Sequence, residues 1–403
     1  MEPLVRRHNP WWSGERDPVV ERWRRASVKW IPEWIKEVSL EPFSLNFVIG
    51  PRQVGKTTGL RLLIHRLLED RSPYQLFYFN CDFTADMEHL RRVLDLYLSV
   101  KRAHGLSECF IFLDEVGSTA GWWRVIKGYI DLGALDDCVL TLAGSSTLRL
   151  KGEVELFPGR RGKGTDVKAL PLTFKEFAEV HGVKIPLSGN LERDIAEAKL
   201  YQDKLEDLFK QYLKLGGFPL SINRDERAPE YLLLALEGEL LRLGKSPQIA
   251  KAIVSSIMRK APSPLSYSAI AKDIGVSYKT VEDYIQTLRK LFLLEIAYHK
   301  EGKRILWRKE KKIFFLDPFI ANTLAEWAGE APLQASIYEW VTQAHLHRKY
   351  GEVYYYRNTY EIDCIAKDLK IEVKAGKPHR KYPKNTITLT QEDIPPFLYA
   401  LNT

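Results

Sequence analysis

Residues Gly50–Thr58 read "GPRQVGKTT" and decide the fold of the N-terminal half. Gly50 to Thr57 match the full G-x-x-x-x-G-K-[ST] pattern. The flanks agree. "LNFVI" before it is an apolar run of buried-strand character, and "GLRLLIHRLLED" after it carries helical periodicity. A strand, a Gly-bearing loop and a helix in this order let backbone N–H groups and the helix N-terminus face phosphate. Gly50, Pro51, Arg52, Gln53, Val54, Gly55, Lys56, Thr57 and Thr58 are the expected nucleotide-binding residues. Lys56 supplies a point charge to the β- and γ-phosphates, and the Thr57 hydroxyl is a ligand for Mg2+. ATP and Mg2+ are the expected cofactors.

Downstream, "CFIFLDEV" is an apolar run from Cys109 to Leu113 ending in Asp114 and Glu115. Asp114 is expected to hold the Mg2+ shell and Glu115 to orient the attacking water. Alone, the same residues would read as a strand with a solvated acidic end. "CVLTLAGSS" is a further apolar strand, ending in Ser145 and Ser146. Ser145 is the first choice for a polar residue facing the γ-phosphate, with Ser146 behind it; an N-cap serine is the plainer reading. In "ELFPGRRGKGTDV", Arg160 and Arg161 sit in a Gly-rich loop. They fit an arginine finger reaching a neighbouring subunit, a phosphate contact on nucleic acid, or simple solvation of the loop.

The combination "GPRQVGKTT", "FIFLDEV", "LAGSS", "PGR…LPLTFKEF" and "LGGFPLSINRD" resembles a large prokaryotic family of AAA+ ATPases with a C-terminal DUF4143 domain, close to the archaeal STAND-like ATPases. The resemblance implies an α/β chain with an AAA+ P-loop core and parallel sheet. A helical lid, a winged helix and a restriction-endonuclease-like domain would follow. The family loop carries one arginine where "FPGRR" has two. The expected domains are a Trp-rich arm over 1–40, the ATPase core over 41–180 and the lid over 181–255. A winged-helix-like domain over 256–318 and a PD-(D/E)xK nuclease-like domain over 319–403 complete the chain.

The remaining segments are read from their residues. The arm "NPWWSGERDPVVERWRRASVKWIPEWI" holds five of the ten tryptophans. It is expected to pack its indoles on the core or on a neighbouring subunit, rather than to stack single-stranded bases. Residues 191–214 are charged and amphipathic, as lid helices are, and "LGGFP" ends them through Gly216, Gly217 and Pro219. "YSAIAKDI", Gly275 and "SYKTVEDYIQTLRKL" have a helix-turn-helix rhythm with Ser277 as N-cap. Two strands around "KEGK" then make a wing. Ser277, Tyr278 and Lys279 would face DNA bases, against an equal case for protein packing. Lys300, Lys303, Arg304, Arg308, Lys309, Lys311 and Lys312 make the wing region basic, with Glu301 and Glu310 opposing.

Near the C-terminus "YEIDCIAKDLKIEVKAG" reads as two strands. With Asp368-Leu369 as the loop, strand alternation puts Asp363, Glu372 and Lys374 on one face, Asp363 opposite Lys374. With Glu339 upstream this resembles the PD-(D/E)xK nuclease core, Ile362 standing where its proline would be. Glu339, Asp363, Glu372 and Lys374 are the tentative nuclease metal site; a solvated charged hairpin is the alternative. His345, His347 and His379 read as helix or surface residues.

Net charge of +8 permits a nucleic-acid partner without demonstrating one. Cys81, Cys109, Cys138 and Cys364 form no C-x-x-C pair, so neither zinc nor a disulfide framework is expected, and a reducing cytoplasm fits. The N-terminus lacks an apolar h-region, and no apolar run approaches the roughly 20 residues of a membrane span. A homo-oligomer, as a hexamer-like or open assembly, is the expected state, with DNA or a protein as partner. The functions in view are a DNA-directed ATPase, a STAND-like nucleotide switch on an inactive nuclease scaffold, and an ATP-gated nuclease.

Overall fold

The computed structural model describes residues 2–145, 157–374, 383 and 385–401. Ser146 and His379 lie outside them. The chain divides into two compact units, Met1–Leu170 and Pro171–Thr403.

In the first unit five strands form one parallel sheet: β1 (Ser44–Gly50), β2 (Leu76–Asn80), β3 (Cys109–Asp114), β4 (Cys138–Ser145) and β5 (Asp166–Lys168). Their order is β2-β3-β4-β1-β5. β1, β3 and β4 are buried along their whole length, which is why each reads as a continuous apolar run. β4 lies between β1 and β3, so the ends of the three strands meet at one edge. Gly50 pairs with Ser145 there, and Asn80 pairs with Asp114.

The N-terminal arm packs on this unit. Trp11 and Trp12 are buried, and both indole N–H groups donate to the Leu76 carbonyl, at 3.0 and 3.1 Å. Trp34 is buried against Gly59 of the helix Lys56–Leu67, where a Cβ would meet its ring at 2.2 Å. One expectation fails here. Cys109 and Cys138 face each other in register at the starts of β3 and β4 and are paired as a disulfide, their Cα atoms 4.7 Å apart. They are 29 residues apart in sequence, so only the strand order brings them together.

The second unit begins with the helix Phe174–Val180. Phe174 and Phe177 pack on Tyr212, with ring centroids 5.6 and 5.3 Å away. His345 Nε2 accepts the Phe174 N–H at 3.0 Å. Helices Leu191–Lys199, Gln202–Leu215, Ala228–Arg242 and Pro247–Lys260 follow. A helix-turn-helix comes next, Tyr267–Ile274 and Tyr278–Lys290, with Gly275 left-handed at φ 71° and the Ser277 side chain capping Thr280 N–H.

The wing strands do not close on themselves. β6 (Leu294–Glu301) pairs with the short β7 (Arg304–Ile305), and also antiparallel with β8 (Lys311–Phe315) and parallel with β9 (Tyr354–Arg357). The sheet continues through β10 (Glu361–Ala366), β11 (Leu369–Val373) and β12 (Ile387–Leu389) in the order β12-β11-β10-β9-β6-β7. The wing and the nuclease-like strands, drawn as separate domains from the sequence, therefore share one sheet. Among the described residues no helix is long and apolar enough to cross a membrane.

Candidate functional site

The phosphate loop links β1 to the helix that starts at Lys56. Two residues take left-handed backbone, Gln53 at φ 65° and Gly55 at φ 91°. Gly55 caps the helix without a side chain, which leaves the first N–H groups of the helix facing the loop's interior. Gly50 is needed for a second reason. A Cβ there would stand 1.9 Å from the Ala169 carbonyl oxygen after β5. Lys56 Nζ donates to the carbonyls of Gly50 (3.1 Å) and Pro51 (2.8 Å), closing the loop over itself.

Thr57 and Asp114 meet across the strand ends. The Thr57 hydroxyl donates to Asp114 Oδ2 at 2.5 Å, and the Tyr78 hydroxyl donates to the same oxygen at 2.9 Å. Asp114 Oδ1 accepts the Glu115 N–H at 3.0 Å. A hydroxyl and a fully buried carboxylate facing each other beside a phosphate loop are hard oxygen donors suited to Mg2+. Glu115 is left-handed at φ 47°, which turns its side chain away from the strand direction. Burial raises its pKa; Asp114 adds to this while Lys56 opposes it. Ser145, beside Gly50 across β1 and β4, is buried at the same edge.

Tyr78 was not foreseen. Its position in β2, inside the apolar run "LFYFN", gives no polar signal. Burial, reinforced by the Asp114 charge, keeps its hydroxyl protonated and donating. The Arg61 guanidinium lies 3.5 Å from the centre of its ring. Arg61 in turn donates to the His8 carbonyl (2.8 Å) and to Asp17 (3.2 Å). The arm thus reaches the Asp114 carboxylate through two side chains, Arg61 and Tyr78.

The two loop arginines separate. Arg161 donates to the carbonyls of Leu45 (2.8 Å) and Thr165 (3.1 Å) and to Asp166 (2.7 Å), and lies over the Phe47 ring. These contacts make Arg161 a brace between β1 and β5. Arg160 pairs with Asp131 at 2.6 Å on the surface. Leu45 lies five positions before Gly50 along β1, roughly 16 Å at about 3.3 Å per residue. Both arginines therefore stand at the opposite edge of the sheet from their own phosphate loop.

The C-terminal acids are brought together, but around a lysine. Lys312 of β8, counted from sequence as part of the basic wing, is 2% exposed. Its Nζ contacts Glu339 Oε1 (2.9 Å), Glu361 Oε1 (2.9 Å) and Asp363 Oδ1 (2.7 Å). Asp363 Oδ2 accepts the Val373 N–H at 2.9 Å, and Gln343 donates to Glu339 Oε1 at 2.9 Å. Lys374 pairs with Glu372. Among the described residues no three His, Cys, Asp or Glu side chains are placed to hold a metal ion. This corrects the expected nuclease metal site of Glu339, Asp363, Glu372 and Lys374. An ammonium takes the position between the acids.

The hairpin register also differs from expectation. Lys367-Asp368 is the loop, with Lys367 left-handed at φ 52°, and Ala366 pairs with Leu369. Continued along the strands, this puts Asp363 opposite Glu372 rather than Lys374.

Charges around the cage follow from burial. Burial raises the Glu339 pKa to about 8, with Asp363 and Glu361 adding to it and Lys312 opposing. Burial alone would lower Lys312, but the three carboxylates outweigh it and hold the ammonium protonated. One cation among three acids leaves a proton on Glu339 near neutrality.

A family model described as an AAA domain matches residues 43–178. A second, a domain of unknown function named DUF8612, matches residues 206–331, where the resemblance implied DUF4143. An uncharacterized protein of Methanocaldococcus jannaschii is 24% identical over 313 residues, covering 72% of this chain and 64% of its own length. An uncharacterized protein of Haemophilus influenzae is 25% identical over 222 residues, covering 52% and 50%. The chain thus spans between half and about two thirds of these curated relatives. Among solved structures, the Aeropyrum pernix ORC2 protein in ADPNP–ADP complexes is similar with a TM-score of 0.44 at 11% identity. That likeness covers 74% of this chain and 96% of the other. Cdc6p of Pyrobaculum aerophilum is similar with a TM-score of 0.28 at 15% identity, covering 71% and 87%. Loop geometry and family match agree on one statement: residues 43–178 carry an AAA-type P-loop domain.

Proposed function

We propose that this protein hydrolyses ATP as an oligomeric AAA+-type ATPase and uses the cycle to move its second unit on DNA. The observation that carries the reading is the meeting of Thr57 and Asp114 at 2.5 Å, next to Lys56 and Glu115. Lys56 leaves the loop carbonyls to bind the β- and γ-phosphates. Thr57 and Asp114 hold Mg2+, which would screen phosphate charge as the terminal bond breaks. Glu115, its pKa raised by burial, orients water and accepts its proton. Ser145 faces the γ-phosphate from the adjacent strand end. Arg160 is the remaining finger candidate, and its place at the far sheet edge requires it to act on a neighbouring subunit.

Steady-state phosphate release tests this. Lys56→Ala should abolish turnover, and Glu115→Gln should abolish turnover while retaining ATP. Unchanged turnover in Lys56→Ala would refute the site.

A second reading, the nucleotide switch on an inactive nuclease scaffold, draws support from Lys312. Its ammonium fills the space between Glu339, Glu361 and Asp363, so strand cleavage through those acids is not part of the proposal. ATP turnover indifferent to DNA would favour this switch.

A further inference from the structure

The winged-helix part of the second unit carries two aromatic pairs, one of which includes Tyr278 of the recognition-type helix. Tyr278, at the first turn of the second helix, is 47% exposed, and Trp307, beyond β7, is 58% exposed. Two buried or half-buried rings connect them. Tyr278 lies 5.7 Å from Tyr267, and Tyr298 lies 4.6 Å from Trp307, edge-on. Lys311 Nζ stands between the inner rings, 4.9 Å from Tyr267 and 5.9 Å from Tyr298. The two aromatic pairs are thus linked through Lys311, one on the recognition-type helix side and one beside the wing.

Charge around the two pairs is one-sided. The side chains of Lys279, Lys303, Arg304 and Arg308 are exposed and, among the described residues, are in no side-chain hydrogen bond or close ion pair, though the Arg304 charge helps to lower the Glu301 pKa. Two of the local acids are already engaged: Glu301 by Lys309 at 3.0 Å, and Asp283 by Lys245. Glu282 and Glu310 remain to oppose four cations. Tyr278 and Trp307 present their rings to solvent, each next in sequence to one of these cations, Lys279 and Arg308.

We infer that this surface is a binding site for single-stranded nucleic acid, with Tyr278 and Trp307 stacking unpaired bases and Arg304 and Arg308 taking the phosphates. Every base offers a π-face, so the site reads strand state and not sequence. A duplex hides those faces and offers the site only its backbone. The inference rests on the nucleic-acid part of the function proposed above and specifies which form of nucleic acid is held.

Fluorescence anisotropy of the full chain tests it, with labelled oligo-dT, oligo-rU and a duplex DNA, each of about 20 residues, over a range of salt. Wild type should bind a single strand more tightly than the duplex. Comparison of oligo-dT with oligo-rU tells which strand type is preferred, and either preference supports the site. Trp307→Ala should weaken single-strand binding on the order of tenfold and leave duplex binding within about twofold, and Trp307→Phe should recover most of the loss. Arg304→Gln with Arg308→Gln should flatten the log-affinity against log-salt slope by roughly 1.4. No binding to any strand, a duplex bound at least as tightly as single strands, or an equal loss on both with Trp307→Ala would overturn the inference. ATP turnover measured in the same samples separates the two proposals. Turnover indifferent to every strand would count against the DNA-directed ATPase, while selective single-strand binding would still support the single-strand site.

Discussion

Replacing Lys312 by methionine keeps most of the apolar stem and deletes the ammonium from the three-acid cage. Glu361 is about one third exposed and turns toward water, and Glu339 already holds a proton. Asp363, 8% exposed at its side chain, is left as a buried carboxylate without its cation. Breaking a buried pair from one side costs ~3–5 kcal/mol, because it leaves a buried charge without its partner. Urea unfolding followed by tryptophan fluorescence, on wild type and Lys312→Met at pH 7, measures it. Adding Asp363→Asn should restore most of the stability. A loss below about 1 kcal/mol, or no recovery in the double variant, would refute the cage as the reason for burying this lysine. A rise in the midpoint on adding Mn2+ that persists in Asp114→Asn and is lost in Glu339→Gln would refute it from the other side, by showing a metal where the ammonium is placed.

Two further outcomes follow from side chains already described. Tyr78→Phe removes one of two hydroxyls on Asp114 Oδ2. A hydrogen bond to a charged group contributes about 1.5 kcal/mol, so the Mg2+ dependence of fluorescent-nucleotide binding should shift by roughly tenfold while metal-free binding stays unchanged. His345 is buried and neutral, accepting from Phe174 N–H and donating to the Val341 carbonyl, and burial lowers its pKa to about 4. Its stabilising contribution is present above pH 6.5 and is lost as pH falls toward 4, about 3 kcal/mol in all from 2.5 units at about 1.36 each. His345→Gln should remove that part of the acid sensitivity, read as a smaller drop in unfolding midpoint between pH 7 and pH 4.

The nucleotide site was legible because its chemistry is local. A phosphate loop needs its residues within one turn, and Asp114 and Glu115 end an apolar run that can only be an interior strand. What was missed is long-range. Tyr78 looks like any core aromatic until β2 is set beside β3. Lys312 is one of seven basic residues in a charged stretch, and only the pairing of β8 with β6 turns it inward while Lys311 meets the aromatic rings of Tyr267 and Tyr298. The face shared by Asp363 and Glu372 was correct from strand alternation, but the register was not. Alternation fixes which side a residue occupies and leaves its partner to the loop, and Lys367 takes the left-handed position that sets it.

β6 carries a consequence for how this protein could have been assembled. Its Ala297 and Tyr298 face β8 on one edge, and Tyr298 and His299 face β9 on the other. A module that can be exchanged between proteins must keep its hydrogen-bond ladders within its own borders. Here the wing supplies a strand that pairs directly with its neighbour's sheet, so cutting the chain between residues 318 and 319 would leave the edges of β6 and β9 bare on either side. The two parts belong together, and a fragment-based dissection of activity should treat the whole second unit from Pro171 onward as its smallest piece.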